Sequence, residues 1–237
     1  VLGLKLVNTA YGDGDPLKED IETVGDITLG GWVSVDIPLS DYTVDPSGIT
    51  QLLFDTFGES ATVFIDNLYF YKEIPSAPPV AAPVPTLDAA NVISIYSDSY
   101  TGVALSEVNP NWGQTTVLSE VQIEGNNTWL YENLTFTGIV TDYGNATDLS
   151  AMTHVHFDYW TPDGTSLGMK LVNTAYGDGD PLKEDIENVG DMLHGSWVSV
   201  EIPLADYTTD VSGITQLLFD TFGESAKVYI DNFYFHN

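Results

Sequence analysis

The sequence predicts an all-β fold, an antiparallel β-sandwich of the jelly-roll type, and three observations predict it. Short segments rich in β-branched and aromatic residues alternate in polarity, as in THVHFDYW, WVSVEIPL and KVYIDNFYF. Turn-forming runs such as PDG and GDGDP separate these segments at intervals typical of sandwiches, about ten residues. The one helix-like run, PLKEDIENVGD, is too short and too acidic to form more than a turn or a solvated loop.

The strands belong to a tandem repeat. Residues Gly3–Lys72 align without gaps on Gly168–Asn237, and 55 of the 70 aligned pairs are identical. We therefore divide the chain into residues 1–72, the C-terminal half of a first module; residues 73–90, a linker; and residues 91–237, a complete module. The five prolines of the linker favour extended polyproline geometry, which predicts a semi-rigid spacer.

The first module lacks a front half, because Asn91–Thr165 has no counterpart ahead of Val1. Half a sandwich cannot cover its own apolar face. Three interpretations stay open. The missing half lies upstream in a longer parent protein, another chain completes the module, or Val1–Lys72 pairs with Asn91–Thr165 and leaves Gly168–Asn237 free to swap.

The composition of the chain excludes several classes of binding partner. The chain has 35 acidic residues against six lysines and arginines, a net charge of −29. Such a surface repels nucleic acids and anionic membranes and disfavours acidic polysaccharides, which leaves neutral sugars, calcium or another protein. The absence of cysteine excludes disulfides and thiolate chemistry. No apolar run reaches the ~18 residues of a membrane span.

The most informative strand is His154–Trp160. Its odd-numbered residues form an ordinary core face, while His156, Asp158 and Trp160 fall on the other face. Neutral sugars stack their CH faces on indole rings, and carboxylates and imidazoles bind their hydroxyls. This pattern predicts a sugar-binding face, and the alternative is a solvated face with one tryptophan at its edge.

Three further aromatic residues are candidates for sugar contact. Trp112, between Pro110 and Gly113, is predicted to lie in a loop as a sugar platform or as a plug at one end of the sandwich. Trp129 and Tyr131 alternate on one face of a strand and add a possible contact. Trp32 and Trp197 begin alternating strands and are predicted to be core residues.

The complete copy resembles the β-sandwich carbohydrate-binding modules of exported polysaccharide-utilisation proteins in marine Bacteroidota. An ordered series carries the resemblance: PTLDAANVISIYSDSYT, NPNWGQTT, GNNTWLYENL, LSAMTHVHFDYWT, WVSVEIPLADY and YIDNFYFHN. The series spans Thr86–Asn237, while Val1–Lys72 matches only its back part. The segments GDGDPLKEDIE and FDTFGES are not part of the general pattern, so ligand details are expected to differ.

The resemblance implies non-catalytic binding of a neutral β-glucan such as laminarin, at the cell surface or in secreted form, with tandem modules that add avidity. It also implies a structural calcium ion held by Asp98 and Asp231, near the two ends of the module. We expect no enzyme activity, because no catalytic motif occurs and abundant acids do not make the flanked cleft of a glycosidase. Two alternatives remain: a structural or adhesin-type spacer stiffened by calcium, and an accessory region of a glycoside hydrolase.

Overall fold

The structure, a computed structural model, describes residues 1–25, 29–142, 144 and 146–237. They divide into two compact units, Val1–Phe70 and Tyr71–Asn237. We call the first the half module and the second the complete module. Within the described ranges, no helix has the length and apolar character needed to cross a membrane.

The complete module is built from two antiparallel sheets that face each other. Its strands are β4 (Val92–Tyr96), β5 (Glu107–Val108), β6 (Val117–Ile123), β7 (Asn126–Leu134), β8 (Phe136–Val140), β9 (His154–Trp160), β10 (Ser166–Val172), β11 (Glu184–Asp191), β12 (Val198–Pro203), β13 (Gln216–Asp220) and β14 (Ala226–His236). One sheet has the order β11-β10-β13-β8-β5. The other has the order β12-β9-β14-β7-β6, with β4 also paired to β14. The predicted antiparallel β-sandwich is confirmed.

The core lies between these sheets and follows the alternation of the strands. The odd-numbered residues of β9, from Val155 to Tyr159, are buried as predicted. Phe157 meets Phe219 of the opposite sheet edge to face, with ring centroids 5.0 Å apart, and Phe233 packs beside both. The even-numbered residues of β9 are thereby turned to the outer face of the six-stranded sheet.

The half module keeps only the strands that pair among themselves. These are β1 (Gly3–Val7), β2 (Glu19–Thr23) and β3 (Gln51–Asp55), in the order β2-β1-β3. Their register equals that of β11, β10 and β13: Gly3 faces Thr23 and Asp55, as Gly168 faces Asn188 and Asp220. The near-identical sequences therefore fold alike where both strands of a pair are present.

Two predicted strands of the half module do not form. WVSVDIPL and VFIDNLYF have no strand structure there, whereas their counterparts are β12 and β14 in the complete module. Those two strands pair with β4, β7 and β9, all of which belong to the front half. The prediction was wrong because strand propensity does not form a ladder without a partner.

The same lack of a front half leaves apolar side chains exposed. Phe54 is 43% exposed, whereas its counterpart Phe219 is fully buried. Ile65 is likewise exposed, and its counterpart Ile230 is fully buried. A small cluster around Leu6 is the core that the half module retains.

The proline-rich segment packs on the complete module rather than standing free as the predicted spacer. Residues Ser76–Leu87, which we call the strap, cross the outer face of the six-stranded sheet. Ala82 is 6% exposed against the sheet, while Val84, two residues on, is 78% exposed. The spacer prediction assumed a solvated polyproline segment, but side chains of the sheet bind the strap's carbonyl groups, as described below.

Candidate functional site

The candidate site is the outer face of β9, β12 and β14. The antiparallel register sets Asp158 opposite Ser199 and His156 opposite both Glu201 and Tyr234. Directly opposed residues of paired strands lie on the same face of a sheet. Polar and aromatic side chains from three strands therefore meet on the surface that the strap crosses.

One part of this face is a recess of about 290 Å³ beside the strap, which we call the polar recess. Its floor is formed by His156, Asp158, Ser199, Glu201, Tyr234 and His236, and strap residues 83–87 form its wall. Glu201 accepts hydrogen bonds from His156 Nδ1 (2.7 Å) and His236 Nε2 (2.9 Å). The His156 ring stacks on Tyr234 with ring centroids 4.5 Å apart. The recess combines a half-exposed carboxylate with flat ring surfaces.

The charge of His156 follows from these neighbours. Burial disfavours the imidazolium, but hydrogen bonds and charge interactions with Asp158 and Glu201 outweigh it and raise the pKa of His156. The imidazole lies between the two carboxylates, with Nε2 3.5 Å from Asp158 and Nδ1 bound to Glu201. Its two nitrogens are thus engaged, and the free hydrogen-bonding capacity of the recess rests mainly on the carboxylates.

The second part is a recess of about 330 Å³, which we call the aromatic recess. It is lined by Trp160, Gly195, Ser196 and Trp197 of the sheet and by Pro79, Val80, Ala81 and Pro83 of the strap. Trp160 is fully buried and meets Tyr229 edge to face at 5.5 Å. Its indole Nε1 has no hydrogen-bond partner among the described residues. A buried donor without an acceptor is rare in folded proteins.

Trp197 is not a core residue, contrary to the prediction. It lies half-buried on the outer face, and its Nε1 donates to the carbonyl of Val80 at 2.8 Å. Trp197 directly precedes β12, in which the even-numbered residues Val200 and Ile202 point inward. Odd-numbered residues there point outward, so the Trp197 side chain points to the strap. The counterpart Trp32 is 75% exposed, so the core prediction was wrong there too.

A buried polar network joins the strap to the centre of the face. Asn232 donates to Asp158 Oδ2 (2.7 Å) and to the carbonyl of Pro83 (2.8 Å). Asp158 also accepts a hydrogen bond from the Ser199 hydroxyl. Asp158 and Asn232 are both almost inaccessible to solvent. Asn232 was not among the predicted site residues, and the available signal was the Asp-Asn pair that recurs in both copies. Its positive φ of 49° lies in the region that asparagine adopts more readily than most residues.

Asp231 is buried beside Asp158, its register partner on β9. It accepts hydrogen bonds from the side chain of Asn126 and from the backbone N–H of Asn232. Burial raises the pKa of Asp231 to about 6, the hydrogen bonds oppose the rise, and the charges of Asp158 and Asp98 add to it.

The predicted calcium ligands are thus engaged by amide donors. Asp98 accepts from the backbone N–H of Asn127 (2.8 Å) and from its side chain (3.0 Å), while Asp231 accepts from Asn126 and Asn232. Calcium prefers six to eight oxygen ligands, and N–H groups cannot serve. Among the described residues no group of three or more His, Cys, Asp or Glu is suited to hold a metal. A calcium ion would need these amides to turn away, and its binding stays a prediction.

The structure brings together three of the predicted sugar-contact residues: His156, Asp158 and Trp160 share the outer face beneath the strap. Trp129 and Tyr131 do not join them, which corrects their prediction as sugar contacts. Both are buried in the core between the sheets, because their shared face of β7 is the inward one.

Trp112 lies on the other sheet, away from the strap. Its ring rests on Gly138 of β8 so closely that a Cβ on that glycine would come within 2.3 Å of it. Ile139, the next residue, points into the core, so Gly138 and the indole lie on the outer face of the five-stranded sheet. The ring is 40% exposed, consistent with a loop position.

The fold and this face define a class: an antiparallel two-sheet sandwich with aromatic and polar side chains on one outer sheet face. No protein-family model matches the chain, and no curated protein matches it. Among solved structures it is similar to β-sandwich carbohydrate-binding modules.

A family 11 carbohydrate-binding module from Clostridium thermocellum, in complex with a β-1,3-1,4-mixed-linked tetrasaccharide, is 17% identical, with 53% of this chain and 85% of that chain covered and a TM-score of 0.40. A family 30 module is 16% identical, with 62% and 98% covered and a TM-score of 0.43. A family 29 module complexed with mannohexaose is 12% identical, with 61% and 89% covered and a TM-score of 0.41. Their named ligands differ from one another, and at this level of identity they do not indicate the ligand of this chain.

Proposed function

We propose that the complete module binds a neutral glycan without catalysing its cleavage, at the outer face of β9, β12 and β14. The observation that carries the proposal is the polar recess, where Glu201, His156 and Tyr234 present a carboxylate beside stacked flat rings. A sugar ring offers hydroxyl donors to the carboxylate and a CH face to the aromatic ring.

The charge of the protein supports a neutral ligand. With a net charge of −29, the chain repels uronic-acid or sulfated polymers at long range. A neutral β-glucan such as laminarin is the finer candidate, and the resemblance to glycan-binding modules of marine Bacteroidota suggests it. That origin, and export to the cell surface or medium, stay predictions.

The absence of catalysis is part of the proposal. Asp231 has a raised pKa and lies beside a second carboxylate, a combination that glycosidases use. However, Asp231 is fully buried and its oxygens accept bonds from Asn126 and Asn232, so it offers no open carboxyl to a glycosidic bond. An accessory role beside a glycoside hydrolase domain is compatible with this proposal.

Titration calorimetry of the full chain against laminarin and a panel of other neutral glycans tests the proposal. Glu201→Gln removes the half-exposed carboxylate of the recess, and we expect it to weaken binding at least tenfold. Its counterpart in the half module is Asp36, so Asp36→Asn is the matched control and should leave affinity unchanged. Absence of heat with every glycan would overturn the proposal.

A structural spacer is the second candidate, and docking of the strap favours it. A linker segment bound along a module fixes the direction in which the chain enters that module, and a stalk of tandem sandwiches requires such fixed connections. This candidate predicts that calcium raises the melting temperature, that Asp98→Asn abolishes that effect, and that no glycan binds. Melting the chain in calcium and in chelator, beside the calorimetry, separates the two candidates.

A further inference from the structure

The strap is bound by side chains of the candidate sugar-binding face. The Trp197 Nε1–H donates to the carbonyl of Val80, and the Asn232 amide donates to the carbonyl of Pro83, both at 2.8 Å. At the ends of the strap, Tyr229 and Tyr100 donate to the carbonyls of Ser76 (3.5 Å) and Leu87 (3.0 Å). The sheet thus holds the strap mainly by donating hydrogen bonds to its backbone.

A proline-rich peptide and a sugar chain present similar chemical groups to such a face. Pyrrolidine rings offer CH surfaces to indole, as pyranose rings do, and carbonyl oxygens accept from the same donors as sugar oxygens. The strap therefore occupies donors and ring faces that a glycan lying along β9 would use.

The strap satisfies that face only in part. Prolines have no N–H, so Pro83 and Pro85 donate nothing to the carboxylates of Asp158 and Glu201 that line the recess beside them. The Trp160 Nε1–H is buried next to the strap and has no acceptor within the described part of the chain. Sugar hydroxyls both donate and accept, so a glycan can complete bonds that the strap leaves unmade.

Docking of the strap rests on few contacts. Pro78 and Ala82 are buried, but Val80 and Val84 are more than half exposed. Among the described residues, the strap N–H with a side-chain partner on the module is that of Ala81, which donates to Glu124 Oε2 at 3.2 Å. Displacement of the strap therefore breaks a few hydrogen bonds and uncovers Trp160 and Trp197, whose rings a bound glycan would cover in its place.

We propose that the strap and a glycan chain compete for the face of Trp160, Trp197 and Asn232, so that glycan binding along β9 displaces the strap. This inference rests on the proposed function. The apparent affinity for long glycans is then proportional to the fraction of molecules in which the strap is undocked, because only those molecules expose the whole face. A single sugar in the polar recess does not need that displacement.

A pair of equal substitutions in the strap tests the competition. Ala82→Arg places a long side chain where the strap contacts the sheet, whereas Ala77→Arg places it at an exposed strap position that lines neither recess. Neither residue belongs to the sheet face. We expect Ala82→Arg to raise the affinity of the full chain for laminarin about tenfold, as the competent fraction grows, and Ala77→Arg to leave it unchanged. Unchanged or reduced affinity in Ala82→Arg would overturn the competition.

A second measurement needs no variant. Hydrogen exchange at the amide of Ala81 reports on docking, because that N–H binds Glu124. We expect saturating laminarin to speed exchange there in the wild-type chain, and unchanged or slower exchange contradicts displacement. If laminarin binds but neither measurement responds, the competition alone fails. If no variant binds any neutral glycan, the proposed function fails and the competition with it.

Discussion

Asp158 and Asp231 face each other across β9 and β14, and both are buried. Two adjacent carboxylates in a dry setting repel when both are ionised. Asn232 and Asn126 each donate to one of them, which lowers the cost of charge but does not supply a cation. The protonation of Asp231 is therefore linked to the stability of the complete module.

We predict that the complete module loses stability as the pH rises through about 6. The folded-state pKa of Asp231 is about 6 against an ordinary 3.8, so the folded state binds more protons between these values. The contribution is present below pH ~4 and lost above pH ~6, and amounts to about 3 kcal/mol. Thermal melts from pH 4 to pH 8 measure it.

Asp231→Asn is the variant that isolates this effect. It removes the titrating group and keeps one of the two acceptor oxygens that bind Asn126 and Asn232, so we expect stability to depend less on pH. The raised pKa of His156 leaves a remaining slope of the same sign, since that group favours folding when protonated. An unchanged slope in Asp231→Asn would show that another group causes it.

A matched pair of phenylalanines measures what the front half contributes. Phe219→Ala empties a fully buried site between the sheets and should destabilise the complete module by about 3–5 kcal/mol. Phe54→Ala, at the same register position of the half module, removes a half-exposed ring and should cost less than about 1 kcal/mol. Denaturation of the full chain with each variant provides both values.

Adding a front half should raise the cost of Phe54→Ala to that of Phe219→Ala. We predict that a copy of residues 73–165 joined directly ahead of Val1 folds with the half module. It would supply partner strands for WVSVDIPL and VFIDNLYF, the half-module counterparts of β12 and β14, in the same chain order as in the complete module. Phe54→Ala in that longer chain should then cost as much as Phe219→Ala. If its cost stays small, another chain or a swapped Gly168–Asn237 arrangement becomes the better interpretation of the half copy.

Strand alternation predicted β9 and its two faces, because a strand with one face on the core and the other face outward has a strict period of two. The end of β14 departs from strict alternation, which would set Asp231 and Phe233 on one face. A bulge between Asp231 and Tyr234, with Asn232 at positive φ, returns Phe233 to the core. The strap was not predictable from composition, since a proline-rich segment has the same sequence pattern whether it is docked or solvated.

A double-mutant cycle on Trp112 and Gly138, which contact each other, tests the two predicted roles of that tryptophan. Gly138→Ala places a methyl group within 2.3 Å of the ring, so the indole must move, and we expect a loss of about 1–3 kcal/mol. Trp112→Ala combined with Gly138→Ala should cost less than the sum of the two, with a coupling of about 1 kcal/mol or more. Gly177→Ala, with open space around it, is the control and should change stability by less than about 0.5 kcal/mol. Urea denaturation measures all four variants. If Trp112→Ala instead leaves stability unchanged and weakens glycan binding, the ring serves as a sugar platform and does not close that end of the sandwich.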